Sequence, residues 1–457
     1  MSFAPYLDPA PSPLPSPRLP TLADLDRRRA ELLAWRPGET PAQSAAASSD
    51  DSQCPDNWPA LSPSALYGLA GEVLRVIGPH SEADPAAILM QFLAAFGNLI
   101  GPGPHCVVES THHSLNLFVV LVGESSKARK GTSWGHIRRL FAEVDAEWVN
   151  QRVTGGLPSA EGLINEVRDE ELATDRRLFA LSDEFASVLR VMGRDGNALS
   201  PILRSAWDSG NLRTLVKHDP LKATGAHISL VGHITRHELL RYLSDTESHN
   251  GFANRLIWTC VRRSKCLPEG GRIPQHELAA VAAEVKRALD WTVSEPEREF
   301  HRDHDARQLW AKVYPSLSEG QPDLLGAATS RGEAQVLRLS AIYAALDCSP
   351  VVCQQHLRAA LGLWKYSYLS ARLIFGDATG DLMLDRIREC LDAAGPDGLT
   401  RTEISDLFKR NASSERIDQA LQKLTSLGLV TNRQVPTEGR PIRVWSAVDS
   451  RAVSQSV

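Results

Sequence analysis

The chain has 457 residues, of which 42% are hydrophobic, with 50 Lys and Arg against 55 Asp and Glu. This composition is ordinary for a globular chain of roughly two to four domains. The net charge of −5 excludes a positive field over the whole protein, so contact with nucleic acid needs a local basic patch. The seven cysteines form no C-x-x-C pair and no zinc spacing, which predicts reduced thiols in a cytoplasmic protein. The N-terminus lacks a signal-peptide pattern and the most apolar stretch, residues 86–100, is too short to span a bilayer, so we expect no membrane contact.

Composition and periodicity divide the chain into segments. The N-terminal segment is rich in Pro, Ser, Ala and Asp and cannot bury enough apolar surface to fold, apart from one helical pattern over Leu22–Trp35; a partner-docking segment is the alternative. The predicted segments are a disordered tail at 1–60, an α/β core at 61–270, a helical region at 271–378, a small separate unit at 379–448 and a disordered tail at 449–457.

Helices and strands alternate through the predicted core. Two helices are expected between Leu61 and Ile100. After them, in chain order, we expect strands at 106–109 and 115–122, helices at 134–150 and 159–170, a strand around Leu178, helices at 185–192 and 201–208, and strands at 227–231 and 255–261. This alternation predicts a mostly parallel sheet with helices on both faces.

The loop after the strand Leu115–Val122 carries the residue types that bind phosphate. Gly123 ends the strand, Lys130 follows seven residues later, and Gly131 comes after the lysine. In a standard P-loop the lysine lies six residues after the first glycine and follows a second glycine, so this loop is atypical. Its lysine can nevertheless neutralise phosphates, its backbone N–H groups and the following helix N-terminus can bind them, and a hydroxyl can reach Mg²⁺.

This loop therefore predicts a site for ATP and Mg²⁺. Lys127 or Arg129 is the alternative to Lys130 as the phosphate contact, and an ordinary connection with surface lysines is the alternative to a site. Thr132 or Ser133 is the expected hydroxyl, with Thr132 assigned to Mg²⁺. The candidate contacts are Gly123, Ser126, Lys127, Arg129, Lys130, Gly131, Thr132 and Ser133.

A second predicted strand ends in two carboxylates about 50 residues later. It reads Leu-Phe-Ala-Leu-Ser182-Asp183-Glu184. In P-loop enzymes one carboxylate holds the Mg²⁺ shell and a neighbour polarises the attacking water, which we assign to Asp183 and Glu184 respectively. The alternative is that Ser182 or Asp183 caps the next helix.

Two further strand positions carry candidate catalytic groups. His233 and Thr235 end the third strand, where they can sense the γ-phosphate by hydrogen bonding; a structural histidine is the alternative. Arg255 begins the next strand and can stabilise the transferring phosphate in its own subunit or in a neighbour's, or serve as a salt-bridge partner.

Two regions are candidates for DNA. A basic loop with Arg213, Lys217 and Lys222 can follow a phosphate backbone without reading bases, or be a solvated hairpin.

Near the C-terminus, three predicted helices and a hairpin resemble a winged helix-turn-helix, with seven basic against three acidic residues between positions 407 and 446. Gln419 and Lys423 lie on the outward face of its third helix. The wing contacts to phosphate are assigned to Arg433, Arg440 and Arg443. A winged helix used for protein contact is the alternative.

Together these segments resemble a domain of unknown function found in primase–helicase-like proteins of plasmids and phages. That domain belongs to the RecA-like P-loop ATPases and is similar to plasmid replicative helicases. The matching segments are Val120–Ser133, Ser182–Ala186, Leu199–Asp208, Val231–Thr235 and Asn250–Arg255, within residues 60 to 375. The resemblance implies a RecA-like core, Mg-ATP, a ring or dimer, Lys130 and Thr132 as phosphate and Mg²⁺ contacts, and Glu184 as the base.

The sequence thus predicts a helicase-like ATPase that acts on DNA in the replication or maintenance of a mobile element. Homo-oligomers and replication proteins are the expected partners. The alternative is a non-enzymatic DNA-binding regulator whose nucleotide pocket has degenerated, which the odd loop spacing favours.

Overall fold

The computed structural model describes most of the chain after the N-terminal segment. The described residues are 58–124, 127–157, 159–170, 175–214, 220–319, 324–376, 382–408, 413–426, 429–436 and 441–448. The predicted disordered tails, apart from residues 58–60, and the predicted helix Leu22–Trp35 lie outside them. Within the described residues, no helix combines the length and apolar character that a bilayer crossing requires.

The core begins with the helical pair that the periodicity predicts. A 3₁₀ turn at Pro63–Leu66 is followed by helices α1 (Gly68–Ile77) and α2 (Pro85–Leu99), with a second 3₁₀ turn at Gly78–His80 between them. Asp84 caps α2 by accepting a hydrogen bond from the Ala86 N–H at 3.0 Å. Almost every residue of α2 is buried, which is why its sequence is apolar on all sides.

Five strands form an all-parallel sheet, which confirms the predicted parallel arrangement. In sheet order they are β4 (Val153–Gly155), β5 (Arg177–Ser182), β8 (His227–Ile234), β3 (Phe118–Val122) and β9 (Leu256–Cys260). Val122 pairs with Ile234 on one side and with Cys260 on the other. The carboxyl ends of β3, β8 and β9 therefore lie at the same edge, called here the carboxyl edge.

Alternate side chains of β3 enter two different cores. Val119 and Leu121 pack with α2 and with α3 (Lys130–Val144), whereas Phe118, Val120 and Val122 pack in the core on the opposite face. The helices after β5 and β8, α6 (Phe185–Met192) and α8 (Arg236–Tyr242), belong to that second core. Because the helices after the neighbouring strands β3 and β8 lie on opposite faces, a crevice opens between the two strand ends, at the topological switch point of the sheet.

Short elements complete the α/β part. They are β1 (His105–Val108), β2 (Thr111–Ser114), α4 (Ala146–Gln151), α5 (Ala160–Glu166), α7 (Leu199–Asp208), β6 (Leu212–Arg213), β7 (Lys222–Ala223), α9 (Asp245–His249) and a 3₁₀ turn at Ala253–Arg255. The β1–β2 and β6–β7 pairs are antiparallel hairpins.

The predicted helical region shares its cores with the sheet. Its elements are α10 (Gln275–Val293), β10 (His301–Arg302), α11 (His304–Ser318), α12 (Leu324–Thr329), α13 (Gly332–Leu346), β11 (Val351–Val352) and α14 (Gln354–Phe375). Leu339 and Ile342 of α13 pack in the first core, and Ile374 and Phe375 of α14 pack in the second. The region therefore does not form a core of its own.

The C-terminal unit has a separate core. Its elements are α15 (Leu382–Ala394), a 3₁₀ turn at Gly395–Asp397, β12 (Leu399–Thr400), α16 (Arg401–Leu407), α17 (Ser414–Ser426), β13 (Val430–Val435) and β14 (Ile442–Ala447). The predicted capping box is confirmed, since Thr400 and Glu403 exchange hydrogen bonds of 2.7 and 3.3 Å. The three strands form an antiparallel sheet in the order β12-β14-β13, and Ile387, Ile417, Leu424 and Trp445 pack together beneath it.

Candidate functional site

The loop after β3 begins with a glycine that has no room for a side chain. A Cβ at Gly123 would lie 2.3 Å from the Val261 carbonyl oxygen and 2.8 Å from the Ala128 Cβ. The Gly123 N–H donates to the Ile234 carbonyl at 3.1 Å, which continues the sheet ladder by one residue. The loop therefore starts tightly against both neighbouring strands. Ser126, a predicted contact, lies outside the described residues.

Lys130 is the first residue of α3, and its side chain folds back over the loop. Its Nζ donates to the carbonyl oxygens of Gly123 at 2.6 Å and Glu124 at 3.2 Å. Burial lowers the pKa of this ammonium, while Glu238 and Glu124 oppose the shift. The sequence places Lys130 seven residues after Gly123, and the fold brings the two into direct contact.

The two alternatives to Lys130 have different environments. Lys127 is exposed. Arg129 adopts a left-handed backbone conformation with φ of 53°, and its Nε lies 2.8 Å from Glu82 Oε2. Glu82 also accepts hydrogen bonds from the Leu267 N–H and from Arg263, and these bonds, the Leu267 one foremost, lower the pKa of Glu82 to about 2. Arg129 is therefore engaged by a carboxylate that stays ionised.

The two hydroxyl side chains that follow Lys130 differ in their exposure to solvent. Thr132 is exposed, whereas Ser133 is fully buried. The Ser133 hydroxyl donates to the Lys130 carbonyl at 2.6 Å and accepts from Gln91 Nε2 at 2.5 Å. Ser133 is thus occupied inside the protein, and Thr132 is the member of the pair open to a ligand. A Cβ at Gly131 would meet nothing within 4 Å, so that position is open too.

The two carboxylates after β5 contact different residues. Asp183 Oδ1 lies 3.3 Å from His233 Nδ1 on the neighbouring strand β8. Glu184 instead accepts a hydrogen bond of 3.0 Å from Arg190 Nη2, and its side chain is 68% exposed. The Glu184 carboxylate therefore pairs with the second turn of α6 at the surface. Exposed pairs of this kind contribute little stability, so the pair is easily exchanged for another contact.

His233 is enclosed beneath the loop. Its side chain is 3% exposed, and burial, with the nearby positive charge of Lys130, lowers the pKa of His233 to about 4. The ring is therefore neutral at pH 7, and its Nε2 has no hydrogen-bond partner among the described residues. Thr235, the other predicted sensor, caps α8 by accepting from the Glu238 N–H at 3.2 Å.

Arg255 lies at the opposite edge of the sheet from the loop after β3. It precedes β9, whose five residues separate it from the carboxyl edge by about 16 Å. The guanidinium binds Asp208 through two hydrogen bonds of 3.2 and 2.6 Å and also donates to the Gly251 carbonyl. Arg255 is 6% exposed and acts as a salt-bridge partner, so it cannot reach a phosphate at the loop of its own subunit.

The predicted basic loop also belongs to the amino edge. Arg213 and Lys222 lie opposite each other in the β6–β7 hairpin, which precedes the first residue of β8. Lys222 Nζ lies 3.7 Å from Asp169 Oδ2. These cations are therefore separated from the loop after β3 by the length of the sheet. Lys217 lies outside the described residues.

A cavity of about 1090 Å³ opens at the carboxyl ends of β3 and β9. Gly123, Glu124, Lys127 and Ala128 of the loop line one part of it. Six basic side chains line it against two acidic ones, although the chain as a whole is acidic. The basic residues are Lys127, Arg236, Arg241, Arg262, Arg263 and Arg386, and the acidic ones are Glu124 and Asp385. This local excess of positive charge suits a polyanion.

The sequence reasoning missed most of these cavity residues. The available signal was position, because Arg236 follows the end of β8 by two residues and Arg262 follows the end of β9 by two residues. Residues directly after parallel strands lie at the ligand-binding edge. Trp58, which also lines the cavity, gave no such signal because it precedes the first helix of the core.

Two oxygen donors of the Mg²⁺ prediction lie at this edge of the sheet. Asp183 supplies a carboxylate and Thr132 an exposed hydroxyl, which are oxygen donors of the type that Mg²⁺ uses. Among the described residues, no group of three or more His, Cys, Asp or Glu side chains forms a metal cluster. A Mg²⁺ ion here would take most of its ligands from phosphates and water.

The C-terminal unit exposes the residues predicted to meet DNA. Gln419 and Lys423 are exposed on α17. Arg433 on β13 donates to the carbonyls of Pro396 and Asp397 at 3.1 and 3.3 Å, and the Arg443 guanidinium lies 6.0 Å from the Trp445 ring centroid. Arg440 lies outside the described residues. Arg433 and Arg443 therefore both contact other residues of the C-terminal unit.

Comparisons of the sequence with known proteins leave the family open. No model of a known protein family matches the chain, and no curated protein is significantly similar to it.

Proposed function

We propose that this protein binds a nucleoside triphosphate, with ATP and Mg²⁺ as the physiological pair, and hydrolyses it as a RecA-like P-loop enzyme. The observation that carries the proposal is the cationic cavity at the carboxyl edge, next to a loop in which Lys130 begins a helix. The sheet supports it, because residues that follow β3, β8 and β9 line the cavity at the edge where open parallel sheets bind ligands.

Phosphates would bind between the loop and the first turn of α3. The unpaired N–H groups and the positive end of this 15-residue helix favour an anion there. Lys130 Nζ now donates to two neutral loop carbonyls, and exchanging them for β- and γ-phosphate oxygens would pair the ammonium with charged acceptors. Because Arg129 is paired with Glu82, it takes no part in this exchange. The pair also holds Arg129, whose backbone is left-handed, in place directly before the first residue of α3.

Hydrolysis would use the acidic pair and His233. Bound Mg²⁺ supplies neutralisation of the β- and γ-phosphates. Asp183 would hold the metal shell. His233 would orient the Asp183 carboxylate through the 3.3 Å contact between His233 Nδ1 and Asp183 Oδ1. Glu184 takes the proton of the attacking water after leaving Arg190 and turning toward the loop, which its 68% exposure permits.

The expected test of the base is Glu184→Gln. Turnover should fall by about 10²- to 10⁴-fold because general base catalysis is lost, while ATP affinity stays within about threefold. Steady-state ATPase assays and calorimetry measure the two quantities. Glu166→Gln, which changes an exposed glutamate at the end of α5, is the control. Equal turnover by Glu184→Gln and the parent would refute the base assignment.

The C-terminal unit would bring the ATPase to DNA. Its three helices and hairpin follow the order of a winged helix-turn-helix, and the sequence from 407 to 446 has seven basic against three acidic residues. Exposed Gln419 and Lys423 on α17 are suited to base edges and phosphate. ATP turnover would then drive movement or remodelling on DNA, in a homo-oligomer with replication proteins, during replication or maintenance of a mobile element.

DNA binding should depend on salt through Lys423. Lys423→Ala should reduce the slope of log affinity against log salt by about one, since one phosphate contact is lost. Lys312→Ala on α11, which removes an exposed lysine elsewhere, should leave the slope unchanged. Fluorescence anisotropy with labelled double- and single-stranded DNA measures both. Identical slopes for all three proteins would argue that α17 does not contact DNA.

The experiment that tests the whole proposal uses the full chain. Calorimetry with Mg-ATP, ATPase rates with and without single-stranded DNA, and native mass should together show binding, DNA-stimulated turnover and an oligomer. Absence of nucleotide binding would overturn the proposal.

A second candidate function is a DNA-binding regulator that does not hydrolyse nucleotide. The Glu184–Arg190 pair and the glycine at position 131, where a standard loop has a hydroxyl, favour it. Binding of ATP without turnover would identify this function.

A further inference from the structure

Two chemically different sets of residues line the cavity at the carboxyl edge. The first set is Gly123, Glu124, Lys127 and Ala128 of the loop, where phosphates would lie. The second set, called here the apolar end, is Trp58, Leu240, Leu373 and Cys260. A ligand that fills both ends needs a charged part and a flat apolar part, and the volume of about 1090 Å³ is sufficient for a whole nucleotide.

The apolar end contains a stacked pair formed by Trp58 and Arg262. The Arg262 guanidinium carbon lies 4.9 Å from the Trp58 ring centroid. Trp58 is hydrogen-bonded to the Tyr366 side chain, whose hydroxyl donates to the Cys260 carbonyl at 2.7 Å. The Arg262 N–H donates to Asp84 Oδ2 at 3.0 Å. Trp58 is therefore tied through Tyr366 to the end of β9, and the Arg262 backbone is tied to the start of α2, with the two side chains stacked before a ligand arrives.

We propose that the Trp58–Arg262 pair is the base-binding platform of this site, and that it accepts nucleoside triphosphates without selecting adenine. The inference rests on the proposed function, since it assigns the base end of the same nucleotide site. Nucleobases stack on tryptophan rings and on guanidinium planes, and every base has a face that can do so.

The lack of selection for adenine follows from the side chains around the platform. Among the described residues that line the cavity there is no Asn, Gln, Ser or Thr side chain. Asparagine and glutamine are the side chains whose paired donor and acceptor match the edge of adenine. The lining arginines can donate to the acceptors of guanine but cannot accept from the adenine amino group. Glu124, Asp385 and His237 are acceptors in the lining, but none of them offers the paired donor and acceptor of an amide. Stacking therefore supplies affinity here, and the base edge supplies little discrimination.

The test measures binding of four probes to the purified full chain by calorimetry. The probes are Mg-ATP, Mg-GTP, Mg-CTP and inorganic tripolyphosphate with Mg²⁺. Trp58→Ala should weaken binding of all three nucleotides by about 10- to 100-fold, because a base–aromatic stack is lost, and should leave tripolyphosphate binding within about threefold. ATP and GTP should differ by less than about fivefold in the parent.

Two further variants make the test specific. Trp310→Ala removes another arginine-stacked tryptophan, 4.0 Å from the Arg302 guanidinium carbon and outside the cavity lining, and should leave nucleotide binding unchanged. Trp58→Phe keeps an aromatic face and should retain most of the affinity, which separates loss of stacking from loss of folding.

Each outcome decides a different claim. If neither nucleotides nor tripolyphosphate bind the parent, the proposed function fails. If tripolyphosphate and ATP bind the parent equally well and Trp58→Ala changes nothing, the platform is wrong while the phosphate site stands. If ATP binds the parent more than about fivefold tighter than GTP, the lack of adenine selection is wrong.

Discussion

Lys130→Ala should reduce kcat/KM for ATP by at least about 100-fold. The lysine Nζ lies over the loop carbonyls at 2.6 and 3.2 Å, and its loss removes a charged donor from the position where the β- and γ-phosphates would bind. ATPase kinetics and calorimetry with Mg-ATP measure the effect. Folding should persist, because the side chain is only half-buried and bonds to its own loop.

Lys127→Ala is the matched control for this prediction. Lys127 belongs to the same loop and lines the cavity, but it is exposed. Its removal should change kcat/KM by less than about fivefold, since an exposed charge contributes little. If Lys127→Ala were the damaging variant and Lys130→Ala were silent, the assignment of the phosphate lysine would be reversed.

Arg338→Ala should lower the free energy of unfolding by about 3–5 kcal/mol. Arg338 is 1% exposed on α13. It donates to the Asn116 carbonyl at 2.9 Å, to Asn116 Oδ1 at 2.7 Å and to the Trp207 carbonyl at 2.8 Å, while its guanidinium carbon lies 3.7 Å from the Trp207 ring centroid. Alanine leaves these buried acceptors unsatisfied and opens a cavity beside the indole.

Urea unfolding of the full chain measures this loss through the midpoint of the transition. Arg287→Ala on α10 is the control, because Arg287 is exposed and pairs only with Glu284 one turn earlier among the described contacts. It should cost less than about 0.5 kcal/mol. A loss below about 1 kcal/mol for Arg338→Ala would show that α13 is not anchored through this residue.

The sheet and the loop were predictable from local patterns. Alternating helices and strands predicted parallel pairing, and the glycine after Val122 marked a turn. The order of the strands was not predictable, because it depends on pairing between residues more than 100 positions apart, such as Val122 with Ile234. That order decides which residues meet at the crevice.

Side-chain direction limited the prediction of the site. The sequence shows that Asp183 and Glu184 follow β5, but it does not show that one meets His233 and the other meets Arg190. Likewise, Ser133 and Thr132 are equivalent as sequence neighbours, and only packing against Gln91 separates them. Arg255 is different, because a residue that precedes a parallel strand belongs to the amino edge, and this was readable from the sequence alone.

The sharing of both cores between the sheet and the later helices bears on how the chain can be shortened. Ending the polypeptide near residue 270 would delete α13, in which every residue from Ala334 to Leu346 is buried, and would strip cover from α2 and β9. Such a fragment would expose a large apolar surface to water and aggregate. Ending it after Phe375 instead leaves both of these cores intact and removes the elements that pack in the third, together with Asp385 and Arg386 of the cavity lining.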